Sequence, residues 1–205
     1  MQHLRVQGGA LITVASVASD VPAPMLGAYA ATKHAVRAFI ETLRMELLAD
    51  AAPISVTLVK PSGIDTPFAL HSANHAPGAA QIPKPVYAPQ LVAEAILDAA
   101  EHSRRDVTVG GAGRLQVLLA THFPALLDRM SRLLIKQTYD PASARSERST
   151  LFQPAGRHRA QSGSLDPRRV SLYTAARRHP LALAVGSAAV VAVVATLLSQ
   201  RRRAG

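Results

Sequence analysis

The chain has no cysteine and no tryptophan, and few aromatic residues of any kind. The first absence removes disulfides, thiolate zinc sites and thiol nucleophiles together, and fits a reducing compartment. The second leaves a core that Ala, Val, Ile and Leu must fill, which a hydrophobic content of 48% can supply. Acidic residues are scarce at one end only. Residues 1–150 hold 14 Lys and Arg against 12 Asp and Glu, whereas residues 151–205 hold nine Arg against one Asp. The net charge of +10 therefore belongs to a tail and not to the body. No run of aromatic residues is interleaved with those arginines as stacking platforms, so a nucleic-acid partner is not expected. A basic tail of this kind suits an anionic membrane surface. Met1-Gln-His-Leu-Arg5 is not a charged segment followed by an apolar run, so no signal peptide is expected.

What the chain does contain is periodic. Residues 10–15 are apolar apart from Thr13 and follow Gly8 and Gly9, which fits a strand buried on both faces of a parallel sheet. Pro22, Pro24 and Gly27 mark residues 16–27 as a loop. In residues 28–49, Val36, Ile40, Leu43 and Leu47 recur at helical spacing and form one apolar stripe. Arg37 and Glu41 form an i,i+4 pair on another face. Residues 54–59 form a second buried strand, which makes strand, helix and strand a βαβ unit with a right-handed crossover. Residues 60–89 are proline-rich and without period, a length of connection that usually carries function. Residues 90–102 return to a helix, with Leu91, Ala95, Leu97 and Asp98 on its turns. Residues 106–109 form a short strand, and residues 114–137 one or two amphipathic helices bent near Pro124. Gly110, Gly111 and Gly113 read as a turn in preference to a phosphate loop.

Three residues in this framework carry proton chemistry. Tyr29 and Lys33 are four apart on the expected helix, so both project from one face about one turn apart. An ammonium beside a phenol favours the phenolate and lowers its pKa from about 10. A phenol so tuned serves as a general acid or base near neutral pH. Ser16 ends the first strand, and ligands of parallel α/β sheets gather at the carboxyl ends of strands. Its hydroxyl can bond a substrate oxygen beside Tyr29. The histidines make no metal pattern. His71 and His75 are i,i+4 but lie in the proline-rich loop with no acid in the helical zinc position, so no metal is expected. His34 reads as structural, and Asp65 as a turn cap.

Taken together, these residues resemble the short-chain dehydrogenase/reductase family, from about residue 8 to about residue 111. The resemblance rests on a Gly-rich entry, an apolar strand and Ser16 thirteen residues before Tyr29. It continues through Tyr29-Ala-Ala-Thr-Lys33 and a second strand ending in Pro61-Ser-Gly-Ile-Asp-Thr66. It implies hydride transfer between NAD or NADP and an alcohol or ketone. Tyr29 would be the general acid/base, Ser16 would polarise the substrate carbonyl, and Lys33 would hold the nicotinamide ribose hydroxyls. Pro61, Ser62, Gly63, Ile64 and Thr66 would form the loop over the nicotinamide, with the Ile64 backbone and the Thr66 hydroxyl near its carboxamide. Residues 67–89 would close over the substrate, and members of the family usually pair through the helix that carries Tyr and Lys. Ser62 is a departure, since the family has Pro-Gly there.

The family's nucleotide-phosphate turn, its NAD-or-NADP selector and its Asn-Ala-Gly segment precede the serine by over a hundred residues, and here Ser16 is nearly first. The expected fold is thus α/β, the second half of a Rossmann-like doubly wound parallel sheet, at residues 1–138. Met1 would be an internal methionine of a longer enzyme, or the gene would be broken. The chain alone would not bind a dinucleotide more tightly than about 10 μM. Residues 139–179 are expected to be a basic disordered linker. Residues 181–198 are 18 residues without a charge, closed by Arg201, Arg202 and Arg203. As a helix they would span about 27 Å, just short of a bilayer core. They are expected as an apolar helix at residues 180–200 that anchors the protein to a membrane, with the body on the cytoplasmic face or in the cytoplasm, and residues 201–205 as a basic tail. A membrane would suit a lipid-like substrate. The alternative to an enzyme is a non-catalytic remnant or a membrane-tethered interaction module; a full-length enzyme would be a homo-oligomer.

Overall fold

The computed structural model describes residues 1–145, 161–162 and 165–178. A short helix, α1 (Gln2–Gln7), leads into β1 (Gly9–Val14). A 3-10 turn (Val17–Ser19) separates β1 from the long α2 (Gly27–Ala49), which returns the chain to β2 (Ile54–Pro61). There follow α3 (Phe68–His71), β3 (Ala79–Ala80), α4 (Pro89–Glu101) and β4 (Asp106–Val109). Three short helices come next, α5 (Gly111–His122), α6 (Pro124–Arg129) and α7 (Ser131–Lys136). After them come β5 (Tyr139–Asp140) and α8 (Leu172–Arg178).

β1, β2 and β4 form one parallel sheet in that order, with Gly9 opposite Ile54 and Val59 opposite Val107. Alternation along β2 sorts its side chains onto two faces. Ile54, Val56 and Leu58 pack with Ile40 and Leu47 of α2, and the partly buried Val36 and Leu43 complete the expected stripe. Val59 joins Val107 and Val109 of β4 with Leu91 and Ala95 of α4 on the other face. The α2 helix stops where Asp50 caps it and Ala51 turns to φ 49°, so that Pro53 can enter β2. Arg44, buried on α2, donates from Nε to the Val56 carbonyl at 3.0 Å and from Nη2 to the Arg105 carbonyl at 2.8 Å, which ties the helix to the ends of two strands.

Three expectations are corrected. β1 is half-buried and not enclosed on both faces; it is the edge strand of the described sheet, with β2 along one edge and no described strand along the other. On α4 the buried row is Leu91, Ala95 and Ala99, spaced by four, and Leu97 is 65% exposed. The expected linker contains folded elements, since β5 and α8 fall within it. β5 pairs antiparallel with β3, and residues 165–178 lie across the fold, with α8 packed on α4, α5 and β4. Among the described residues no helix is long and apolar enough to cross a membrane. The run at 181–198, the tail at 201–205 and residues 146–160 of the expected linker lie outside the described residues.

Candidate active site

Ser16 follows the carboxyl end of β1, and being extended (φ −171°, ψ 163°) it caps the 3-10 turn. Its Oγ accepts from the Ala18 N–H at 3.1 Å, and its carbonyl accepts from the Ser19 hydroxyl at 2.6 Å. A hydroxyl has one donor and two lone pairs. With a lone pair used locally, the O–H of Ser16 is left for a ligand. Tyr29 and Lys33 stand on the first turns of α2, with Lys33 Nζ 5.7 Å from the centre of the Tyr29 ring. That is within cation–π range. Phe68 of α3 also packs against the Tyr29 ring, at a centroid distance of 5.3 Å and a tilt of 52°. His34, one residue on, sets Nδ1 2.9 Å from the Ala30 carbonyl of its own helix, as a structural residue does.

An ion cluster that no sequence pattern announced fixes these parts together. Asp20, 5% exposed in its side chain, lies between Lys60 Nζ at 2.9 Å and the guanidinium of Arg37. Asp20 closes the turn after Ser16, Arg37 is one turn beyond Lys33 on α2, and Lys60 is the residue before the 61–66 loop. Arg37 also donates to Glu41 at 3.1 Å, the expected i,i+4 pair. Burial opposes the charge on Arg37, but the Glu41 bond and the fields of Asp20, Glu41 and Asp106 outweigh it and hold its pKa above the ordinary value.

The 61–66 loop is held from behind. Gly63 accepts from the Tyr87 N–H at 2.8 Å, the Tyr87 carbonyl accepts from the Asp65 N–H at 2.9 Å, and the Ile64 carbonyl accepts from Thr66 at 2.8 Å. Among the described residues these bonds leave the Ile64 N–H and the Thr66 hydroxyl unengaged. Ser62 turns the other way. Its N–H and hydroxyl both donate to the Val109 carbonyl, at 3.0 and 2.9 Å, so this extra residue hooks the loop to β4. Glycine is required where α5 meets the hook. Gly110 has φ 100°, and a Cβ on Gly113 would lie 2.6 Å from Ser62 Cβ and 2.8 Å from Val17 Cγ1. The glycines at 110–113 thus serve close packing at a helix start. Asp65 is 1% exposed and does not cap a turn as expected; its Oδ1 accepts from the backbone N–H of Ser162 at 3.2 Å and from its hydroxyl.

That bond begins a strap. Arg168 bridges to Tyr87, donating its N–H to the Val86 carbonyl at 2.9 Å and accepting from the Ala88 N–H at 3.0 Å. Thr174 of α8 accepts the Gly110 N–H at 3.1 Å, and Arg178 pairs with Glu94 of α4. A cleft of about 550 Å³ opens along the strap, lined by Lys84, Pro85, Val86, Leu165, Asp166 and Arg168; it includes none of Ser16, Tyr29 and Lys33. Among the described residues no three His, Asp or Glu side chains converge as a metal would need.

The family profile described as short chain dehydrogenase matches residues 1–76. The uncharacterized oxidoreductase YxnA of Bacillus subtilis is 34% identical over 199 residues, which are 95% of this chain and 55% of that protein. The chain belongs to the short-chain dehydrogenase family. The 11-beta-hydroxysteroid dehydrogenase A of Arachis hypogaea is 30% identical over 144 residues, 65% of this chain and 40% of its own. A short chain dehydrogenase from Burkholderia cenocepacia, solved in complex with NADP, superposes with a TM-score of 0.51 at 26% identity, over 65% of this chain and 50% of that one. The chain thus spans about half the length of the relatives it matches.

Proposed function

We propose that this protein is part of an NAD(P)-dependent oxidoreductase that interconverts an alcohol and a ketone. The observation that carries the proposal is the seating of Lys33 over Tyr29, beside the carboxyl end of the strand that presents Ser16. NADP in the Burkholderia cenocepacia relative, and the dehydrogenase activity named for the Arachis hypogaea relative, support it. A bound nicotinamide would supply the hydride, a proton carrying two electrons, for the carbonyl carbon. In that direction Tyr29 gives its phenolic proton to the carbonyl oxygen, which becomes the alcohol; in the other it removes that proton. Ser16 donates to the same oxygen and orients it. Lys33, beside Tyr29, would hold the ribose hydroxyls of the cofactor. The Ile64 N–H and the Thr66 hydroxyl, unengaged in the loop, suit the nicotinamide carboxamide. Ser62 would position the loop through its two bonds to the Val109 carbonyl.

The described residues supply the acid/base side of such a site; among them no glycine turn offers a pyrophosphate seat. The exposed Met45 and Leu48, three apart on one face of α2, would help pair two copies as a homo-oligomer. Residues 181–198 would tether the protein to a membrane with its body on the cytoplasmic side. The substrate, closed over by residues 67–89, would be apolar.

The test is isotopic. The natural protein is supplied with nicotinamide cofactor carrying deuterium at the transferable position and a panel of apolar ketones. Deuterium at the product's carbinol carbon is expected. Cofactor binding without deuterium in any alcohol product would count against the proposal.

A further inference from the structure

The three helices α5, α6 and α7 are covered on one side at most. α5 buries Gly113 and Val117, but Leu115 is 58% and Leu118 39% exposed. Phe123 between α5 and α6 is 60% exposed, Leu126 on α6 is 45% and Leu133 on α7 is 57%. Neither α6 nor α7 buries a single residue. Helices of six residues are marginal on their own in water, so a surface that covers them would also stabilise them. The charges on these helices are mainly of one sign. Arg114, Arg129, Arg132 and Lys136 stand against Asp128, and among the described residues none of the four cations has an ion-pair partner.

We propose that α5–α7 form a docking face for an anionic lipid bilayer. Apolar side chains flanked by long cationic ones are what an interfacial helix presents. The leucines and Phe123 would enter the acyl boundary, while the Arg and Lys stems lie along it and their heads meet lipid phosphates. An aqueous protein partner would need acidic groups for four unpaired cations as well as an apolar patch; an anionic bilayer supplies both at once. The placement has a consequence for the proposed enzyme, and this part rests on that proposal. α7 runs into β5, which pairs with β3 in the substrate loop, and the Gln81 N–H bonds the Thr138 carbonyl at 2.8 Å. A bilayer under α5–α7 would therefore sit beside the loop that admits substrate, and a lipid-phase substrate would not cross water.

The test uses the full chain with vesicles of phosphatidylcholine alone or with phosphatidylserine, read by co-sedimentation and by hydrogen exchange across residues 111–136. Binding should be about tenfold or more tighter with phosphatidylserine, weaken with salt, and slow exchange at 111–136. Leu115→Glu with Leu126→Glu, and separately Arg129→Glu with Arg132→Glu, should each remove the exchange protection. Helical content by circular dichroism checks that the variants fold. Binding carried by residues 181–198 would instead persist on neutral vesicles and survive both variants. Equal binding to both vesicle types with unchanged exchange at 111–136 would overturn the proposal. Protection that rises with protein concentration in the absence of lipid would also overturn it, in favour of a second copy on this face. Neither result would touch the hydride-transfer proposal, which is read by deuterium transfer.

Discussion

The 61–66 loop is reached from two directions, and the two regions that hold it are built differently. The βαβ unit from β1 to β2 is joined by a continuous apolar interface, with Leu47 and Leu58 almost fully buried. The strap, residues 161–162 and 165–178, buries few residues and is fixed by separate polar contacts, Ser162 on Asp65, Arg168 on Tyr87 and Thr174 on Gly110. Apolar contacts add up over area, so one region resists as a body. Polar contacts act one at a time, and each loss frees a segment without unfolding the rest. The loop is thus fixed by a rigid base and fastened by a cover that can open locally.

Variants can break this contrast at either end. The largest effect is expected in the base, at its one buried ionic joint. Asp20→Asn removes the counter-charge of buried Lys60 and should cost about 3–5 kcal/mol in denaturant unfolding. Leu58→Ala, with the parent side chain fully buried, should cost about 3 kcal/mol and lower the single unfolding transition. In the cover, Thr174→Val removes the acceptor of the Gly110 N–H and should cost about 1–2 kcal/mol. Its signature should be faster hydrogen exchange confined to the strap and residues 109–112. A shift of the global transition equal to that of Leu58→Ala would erase the contrast. The smallest effect concerns pH. Hydrogen bonds from Ser143 and the Ala142 N–H hold the Asp140 pKa below its ordinary value. A carboxylate lowered in the folded state stabilises it above the ordinary pKa and loses that contribution as pH falls through the folded value. The β3–β5 pair should therefore loosen below about pH 4, seen as faster exchange at residues 138–143, while the parallel sheet holds.

The same contrast explains what the sequence revealed. A strand repeats every two residues and a helix about every 3.6, so β2, α2 and α4 announce themselves through Val56, Leu58, Ile40, Leu47 and Ala95. Tyr29 and Lys33 meet because helix geometry alone brings i and i+4 together. Nothing local marks Lys60 as the partner of Asp20, forty positions away, or Asp65 as the acceptor of Ser162, ninety-seven away. Residues 165–178, rich in Arg, look like a linker because their attachment lies in single hydrogen bonds that leave no period. Leu97 misled for the opposite reason: an apolar residue on a helix need not face the core, and Ala95 and Ala99 define the buried row.

The most direct measurement of the central claim is turnover and cofactor affinity of the natural protein beside its Tyr29→Phe variant. If Tyr29 transfers the proton, turnover should fall about a hundred- to ten-thousand-fold while the dissociation constant for the nicotinamide cofactor stays within about twofold, a few tenths of a kcal/mol. Turnover that survives the loss of the hydroxyl would contradict the assignment of Tyr29 as the acid/base.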